Sequence, residues 1–147
     1  MPQLTSTVPA AFDALVDLVT AAAPPGVFVA ESELVQYEPA TYVELTTVAN
    51  HTYQVASLGT YAFYENYEIQ GVVRVFRGDY NPREARTDAW AAYQSIVVST
   101  VIANKTLGDL VLAVELVAAN STCEITANGG TQCLIEFAVA LEARLTV

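Results

Sequence analysis

Few side chains in this sequence have the types and spacing that chemistry requires. His51 is its single histidine, and it falls in a stretch, residues 49–52, that reads as a turn. An imidazole works as an acid or base only beside a group that orients it or takes its proton, and no neighbour in sequence supplies one. No Cys/His cluster has zinc-ligand spacing, no glycine-rich loop has phosphate-binding form, and no Gly-x-Ser-x-Gly elbow occurs. The chain has 16 carboxylates, but the sequence singles out no pair of them as acid and base. The expectation is a protein that is not an enzyme and holds neither metal nor cofactor.

The two cysteines, Cys123 and Cys133, flank the strongest turn signal in the chain, Ala127-Asn128-Gly129-Gly130. If residues 127–129 form a three-residue hairpin loop with Gly129 left-handed, Cys123 faces Cys133 at bridging distance. If Asn128-Gly129 is instead a two-residue turn, Cys123 faces Leu134. A cytosolic origin favours free thiols, so bridged and free forms both stand open.

Charge is more informative than any motif. The net charge is −10, and residues 1–73 contain no Lys or Arg while carrying Asp13, Asp17, Glu31, Glu33, Glu38, Glu44, Glu65 and Glu68. Arg74, Arg77, Arg83 and Arg86 then crowd one junction around Asp79. An acidic balance argues against binding a phosphate backbone, which needs Lys and Arg to neutralise it. Two readings of the cluster remain. It pairs with nearby carboxylates such as Glu68, Glu84 or Asp88 on a solvated surface, or it meets the acidic half of another copy in a ring or dimer. On the second reading Arg74, Arg77, Asp79, Arg83 and Arg86 form the subunit interface.

The elements that hold these residues follow from periodicity. Residues 65–76 are rich in β-branched and aromatic side chains and read as a long strand. Gly78-Asp79 turns the chain, and Asn81-Pro82-Arg83-Glu84 opens a helix with a cap, a first-turn proline and a capping-box glutamate. Behind it Ala85, Ala89, Ala92, Tyr93, Ile96, Val97 and Thr100 share one face. An earlier helix is expected over residues 9–22, with Ser6 and Thr7 as candidate caps, ended by Pro24-Pro25-Gly26. Short strands are expected at 27–31, 42–48 and 53–58, with loops at 31–41 and 52–64 framing them, and a further strand at 110–118. Tyr61, Phe63, Tyr64 and Tyr67 form an aromatic-dense stretch suited to core packing or to a contact patch. Residues 133–147 alternate, with Cys133, Ile135, Phe137, Val139, Leu141, Leu145 and Val147 on one face and Glu136, Glu142, Arg144 and Thr146 on the other. The sum is an α+β domain over residues 1–147, a mostly antiparallel or mixed sheet of about five strands with two helices on one face.

At 147 residues and a mean hydropathy of +0.35 the chain suits one folded domain rather than a disordered one. No apolar run approaches the roughly 18 residues of a membrane helix. No basic residue precedes the first apolar segment, which argues against a secretory signal and for a soluble protein made in the cytoplasm. The Asn-x-Ser/Thr triplets at Asn50, Asn104 and Asn120 are then chance matches.

Read in order, the weak signals resemble the tail terminator proteins of long-tailed bacteriophages, the lambda-type family with its actinobacteriophage relatives. The residues that carry this are Val8-Pro-Ala-Ala-Phe-Asp-Ala-Leu-Val-Asp17, then Ala56-Ser-Leu-Gly59 leading into Glu65-Asn-Tyr-Glu-Ile69. Val73-Arg-Val-Phe-Arg-Gly-Asp79-Tyr-Asn-Pro-Arg-Glu-Ala-Arg86, Lys105-Thr-Leu-Gly108 and a last strand containing Phe137-Ala-Val-Ala-Leu-Glu-Ala-Arg-Leu145 complete it. The chain departs from the family in lacking a second glycine after Gly108 and in its Cys123/Cys133 hairpin. The resemblance implies a homomeric ring, a hexamer, at the head-proximal end of the tail tube. Such a ring ends polymerisation of the major tail tube protein and presents a surface to the head–tail connector or stopper. It would be assembled in the host cytoplasm and carried in the virion, with no catalytic site and no membrane. Genomic DNA would pass through without specific binding, as an acidic channel wall repels phosphate. A connector or tail-completion protein of the phage neck is the near alternative. A small secreted binding module is the alternative from another class, suggested by the triplets, the cysteines and the tyrosines.

Overall fold

Strict alternation along two strands builds the centre of the molecule. The computed structural model describes residues 4–34, 38–57, 59 and 62–146. Its elements are α1 (Val8–Ala22), β1 (Val27–Ala30), β2 (Thr41–Ser57), β3 (Ala62–Arg77), α2 (Pro82–Ala92), α3 (Ser99–Ala103), β4 (Ala113–Ile125) and β5 (Thr131–Thr146). The five strands form one sheet in the order β1-β2-β3-β5-β4. β1 runs parallel to β2 and every other pair is antiparallel. This is the expected α+β architecture, a mixed sheet with its helices on one face.

The odd-numbered residues of β3 and β5 make the floor of the core. Tyr67, Ile69, Val73 and Val75 pair with Leu141, Val139, Ile135 and Cys133, and all eight are buried. Ala11, Leu15 and Val19 of α1 and Ala85 and Ala89 of α2 close over them. Each fully buried Val, Ile or Leu contributes about 1.5–3 kcal/mol, so this layer dominates stability. Gly71 is placed by close approach: a Cβ there would lie 2.4 Å from the Glu44 carbonyl oxygen and 2.6 Å from Phe137 Cζ. The missing side chain lets the Phe137 ring lie across the sheet.

The strand–turn–helix junction forms as its residues dictate. Asn81 Oδ1 accepts from the Glu84 amide at 3.1 Å, and Asn81 Nδ2 donates to Glu84 Oε2 at 2.9 Å, a side-chain variant of the capping box. The buried Thr131 hydroxyl accepts from the Asn81 amide and donates to the Asp79 carbonyl, each at 2.9 Å. Beyond Ala92 the helix widens into a π-helical segment, Tyr93–Val98, before continuing as α3. The extra residue in that turn rotates the register, so that Ile96, Val97, Thr100 and Val101 all stay buried.

Four sequence expectations are corrected. Residues 49–52 do not reverse the chain: β2 is continuous from Thr41 to Ser57, and Asn50, at φ 55°, sits in a bulge between the Ala49 and Thr52 pairings. Asn tolerates that left-handed backbone, so the polar cluster marks a kink. Thr7 stands at the α1 N-cap without capping its own helix, because its side chain is bonded to the sheet. β4 covers Ala113–Ile125 rather than 110–118, since hairpin pairing with β5 extends it through residues too exposed to show a pattern. β3 and β5 start earlier than read, at Ala62 and Thr131. The readings for Leu58, Tyr61 and Val147 lie outside the described residues.

Candidate interaction surfaces

Alternation divides the arginine cluster, so the five expected interface residues do not form one patch. Arg74 points to the face of the sheet without helices. There its Nε lies 3.1 Å from Oε1 of Glu44, a fully buried carboxylate whose Oε2 also accepts from the Leu34 amide at 3.3 Å. Arg77 points to the helix face and gathers Asp79 at 3.1 Å, Glu84 at 3.3 Å and Asp88 at 3.4 Å. Its hydrogen bond to Asp79 raises the guanidinium pKa further and lowers that of the carboxylate. Arg74, Arg77 and Asp79 therefore have partners inside the chain.

Arg83 and Arg86 do not. Both are exposed, and among the described residues neither makes an ion pair. Ala85 and Ala89 face the sheet, and Glu84 and Asp88 lie on the flank that meets Arg77 of β3. Helical geometry puts Arg86, with Arg83 one turn before it, on the flank away from β3. α2 packs on β3 and β5 and touches β4, whereas α1 packs by β1 and the later turns of the long helix. The molecule thus has two unlike sides. The α1–β1–β2 side has no Lys or Arg and exposes Asp13 and Asp17 one turn apart, and the β4 side carries Arg83, Arg86 and Lys105 beside Glu115 and Glu124.

The face of the sheet without helices is acidic. Register places Glu68, Glu115, Glu124, Glu136 and Glu142 on it, beside Gln70 and Asn120, with Arg144 towards one end. A shallow trough lined by Glu68, Gln70, Val117, Asn120 and Glu136 crosses its middle.

A cluster that the sequence reading missed lies on the other face. Glu65 has the parity of Tyr67 and Ile69 and is fully buried, with its carboxylate hydrogen-bonded on all sides. Ser6 Oγ donates to it at 2.5 Å, the Thr7 amide at 2.8 Å and Thr7 Oγ1 at 2.7 Å, and His51 Nε2 lies 2.8 Å away. Thr7 Oγ1 also meets the Tyr67 hydroxyl at 3.0 Å. Burial alone would raise the Glu65 pKa, but the bonds from Ser6, Thr7 and His51 outweigh it and bring the value from 4.5 to about 2. The only signal in the sequence was a glutamate at a position whose neighbours two residues on are all core. His51 comes to it because the bulge at Asn50 turns the ring inward. The serine bonds the carboxylate and not the imidazole, so the group clasps α1 to the sheet and has no nucleophile–base order.

Cys123 and Cys133 are bonded, with Cα atoms 4.1 Å apart. The loop is the three-residue alternative: the Thr126 amide donates to the Gly130 carbonyl at 3.0 Å, and Gly129 is left-handed at φ 79°. Among the described residues no group of three or more His, Cys, Asp or Glu side chains could hold a metal ion, and no helix is long and apolar enough to cross a membrane.

No protein-family profile matches the sequence, and no curated protein matches it. Among solved structures the chain is similar to one described as "Virion of native gene transfer agent (GTA) particle", with a TM-score of 0.44 and 12% identity over 88% of this chain and 84% of that one.

Proposed function

We propose that this chain is a structural protein of a bacteriophage virion, a tail terminator that assembles with its own copies into a ring. The ring, a hexamer by the family resemblance, stops growth of the major tail tube protein at the head-proximal end and offers its other surface to the head–tail connector or stopper. It works by shape and self-association, without a reacting group or cofactor. The observation that carries this reading is the separation of charge between the two sides of the molecule. A side without Lys or Arg opposite one that carries Arg83, Arg86 and Lys105 favours head-to-tail association, which closes into rings. The acidic sheet face supplies a wall along which DNA slides without binding, since phosphate contacts require cations.

The test is Arg83→Glu with Arg86→Glu. Both side chains are exposed and make no ion pair among the described residues, so the circular dichroism spectrum and melting temperature should match the wild type while light scattering reports loss of the ring. A double variant that assembles normally removes these arginines from the interface. The Cys123–Cys133 bond favours a second reading, a secreted binding module, because disulfides persist in oxidising compartments. A protein that stays monomeric at high concentration and ignores tail tubes would decide for it.

A further inference from the structure

The sheet ends in two edges, and each is open where the other could use it. Among the described residues β4 is paired on its β5 side only, which leaves its outer edge open. At the opposite end β1 covers β2 only along Thr41–Glu44, so the outer edge of residues 47–57 is also free. Exposed edges of this length are templates for another strand. Both carry exposed apolar side chains, Val48, Tyr53 and Val55 on β2 and Leu112 and Val117 at β4.

Level, side and direction all match. Following the ladders across, Val48 aligns with Ile69, Val139 and Leu116, and Thr52 with Asn66, Glu142 and Ala113. Residues 48–52 of β2 therefore stand at the height of residues 113–116, and Tyr53 and Val55 at the height of the residues just before β4, Leu112 and Leu110. At that height a groove of about 560 Å³ runs between β4 and the end of the long helix, lined chiefly by Val101, Ile102, Leu112, Val114 and Leu116, with Lys105 and Glu115 as its charged residues. Val48, Tyr53 and Val55 pair with Ile69, Glu65 and Phe63, so they project to the helix side of the sheet, as Val114 and Leu116 do. β2 and β5 run one way, β3 and β4 the other. A copy rotated about an axis along the strands brings its β2 antiparallel to β4.

We propose that a second copy lays residues 47–57 of its β2 antiparallel along the outer edge of β4, with Tyr53 and Val55 entering the groove. A second copy is the occupant because both free edges belong to this chain and agree in side and direction. The arriving side has no Lys or Arg and presents Asp13 and Asp17, and the receiving groove is lined by Lys105. The contact is heterologous, so each copy gives one edge and receives on the other, and the sheet continues from copy to copy. The proposal rests on the ring reading above and specifies which surfaces meet.

Val55→Cys and Ile102→Cys, each in the otherwise native chain, test it with a short bismaleimide. Cross-linked dimer should form only when the two variants are mixed, while light scattering still reports multimers. Leu112→Glu, at an exposed position, should raise the concentration needed for assembly by roughly tenfold or more, as loss of a buried apolar contact does. Multimers without a mixed cross-link would overturn the edge contact and leave the ring standing. Cross-linking within either variant alone would replace it with an isologous contact. Monomers under every condition, with or without tail tubes, would overturn both.

Discussion

Replacing Glu65 with Gln should cost this fold about 3 kcal/mol at neutral pH. The carboxylate is fully buried, and its pKa of about 2 lies well below the ordinary 4.5. That gap corresponds to about 3 kcal/mol of preference for the ionised form in the folded protein. Because the folded value is the lower one, the contribution is complete above about pH 4.5, fades as the pH falls and is gone below about 2. Glutamine keeps an acceptor for Thr7 but presents an amide to Ser6 and His51 where a charge stood. With a urea slope of about 2 kcal/mol per molar, the midpoint should fall by about 1.5 M at pH 7. Urea titrations at pH 7 and pH 3, at concentrations where both proteins are monomeric, should show the two midpoints converging in acid. A variant as stable as the wild type at pH 7, or one with an unchanged gap at pH 3, would refute the assignment of this energy to the Glu65 charge.

Other expectations are simpler to read. Denatured, unreduced protein should yield no free thiol; two would contradict the Cys123–Cys133 bond. Gly71→Ala should lower stability by about 2–4 kcal/mol in a denaturant titration, since the new methyl group would press on backbone that cannot step aside. An unchanged midpoint would mean that β2 and β3 separate more easily than their register implies.

Much of the fold was legible because its central elements repeat cleanly. β3 and β5 alternate without interruption, and Asn81-Pro82-Arg83-Glu84 opens its helix as written. The architecture and the helix-covered face followed from those patterns, whereas the turn between the cysteines admitted two registers that only the structure decides. Reading failed where a local signal had two structural solutions. Ala49-Asn50-His51-Thr52 can reverse a chain or kink it, and only the long pairing partner in β3 decides for the kink. β4 was short-changed because an edge strand that fully buries only Val114 has no sustained hydrophobic period to read. Glu65 was hidden for a different reason: its partners Ser6, Thr7 and His51 lie far away in sequence, and three-dimensional placement alone brings them together. The arginines were seen as a group, but period-two geometry sends Arg74 and Arg77 to opposite faces and leaves Arg83 and Arg86 as the exposed pair.

The covalent tie between Cys123 and Cys133 has a consequence for alignment. Ordinarily the burial of one side holds a strand in step with its neighbour, since slipping by one residue would turn its apolar set outward. β4 fully buries only Val114, with Leu116, Ala119 and Cys123 partly covered, so its own side chains resist slippage less than those of β3 or β5. The crosslink sits near the far end of the strand and forbids the slip outright. It thereby keeps Leu112 and Leu116 in place, so the keeper of that margin lies a whole strand's length from it.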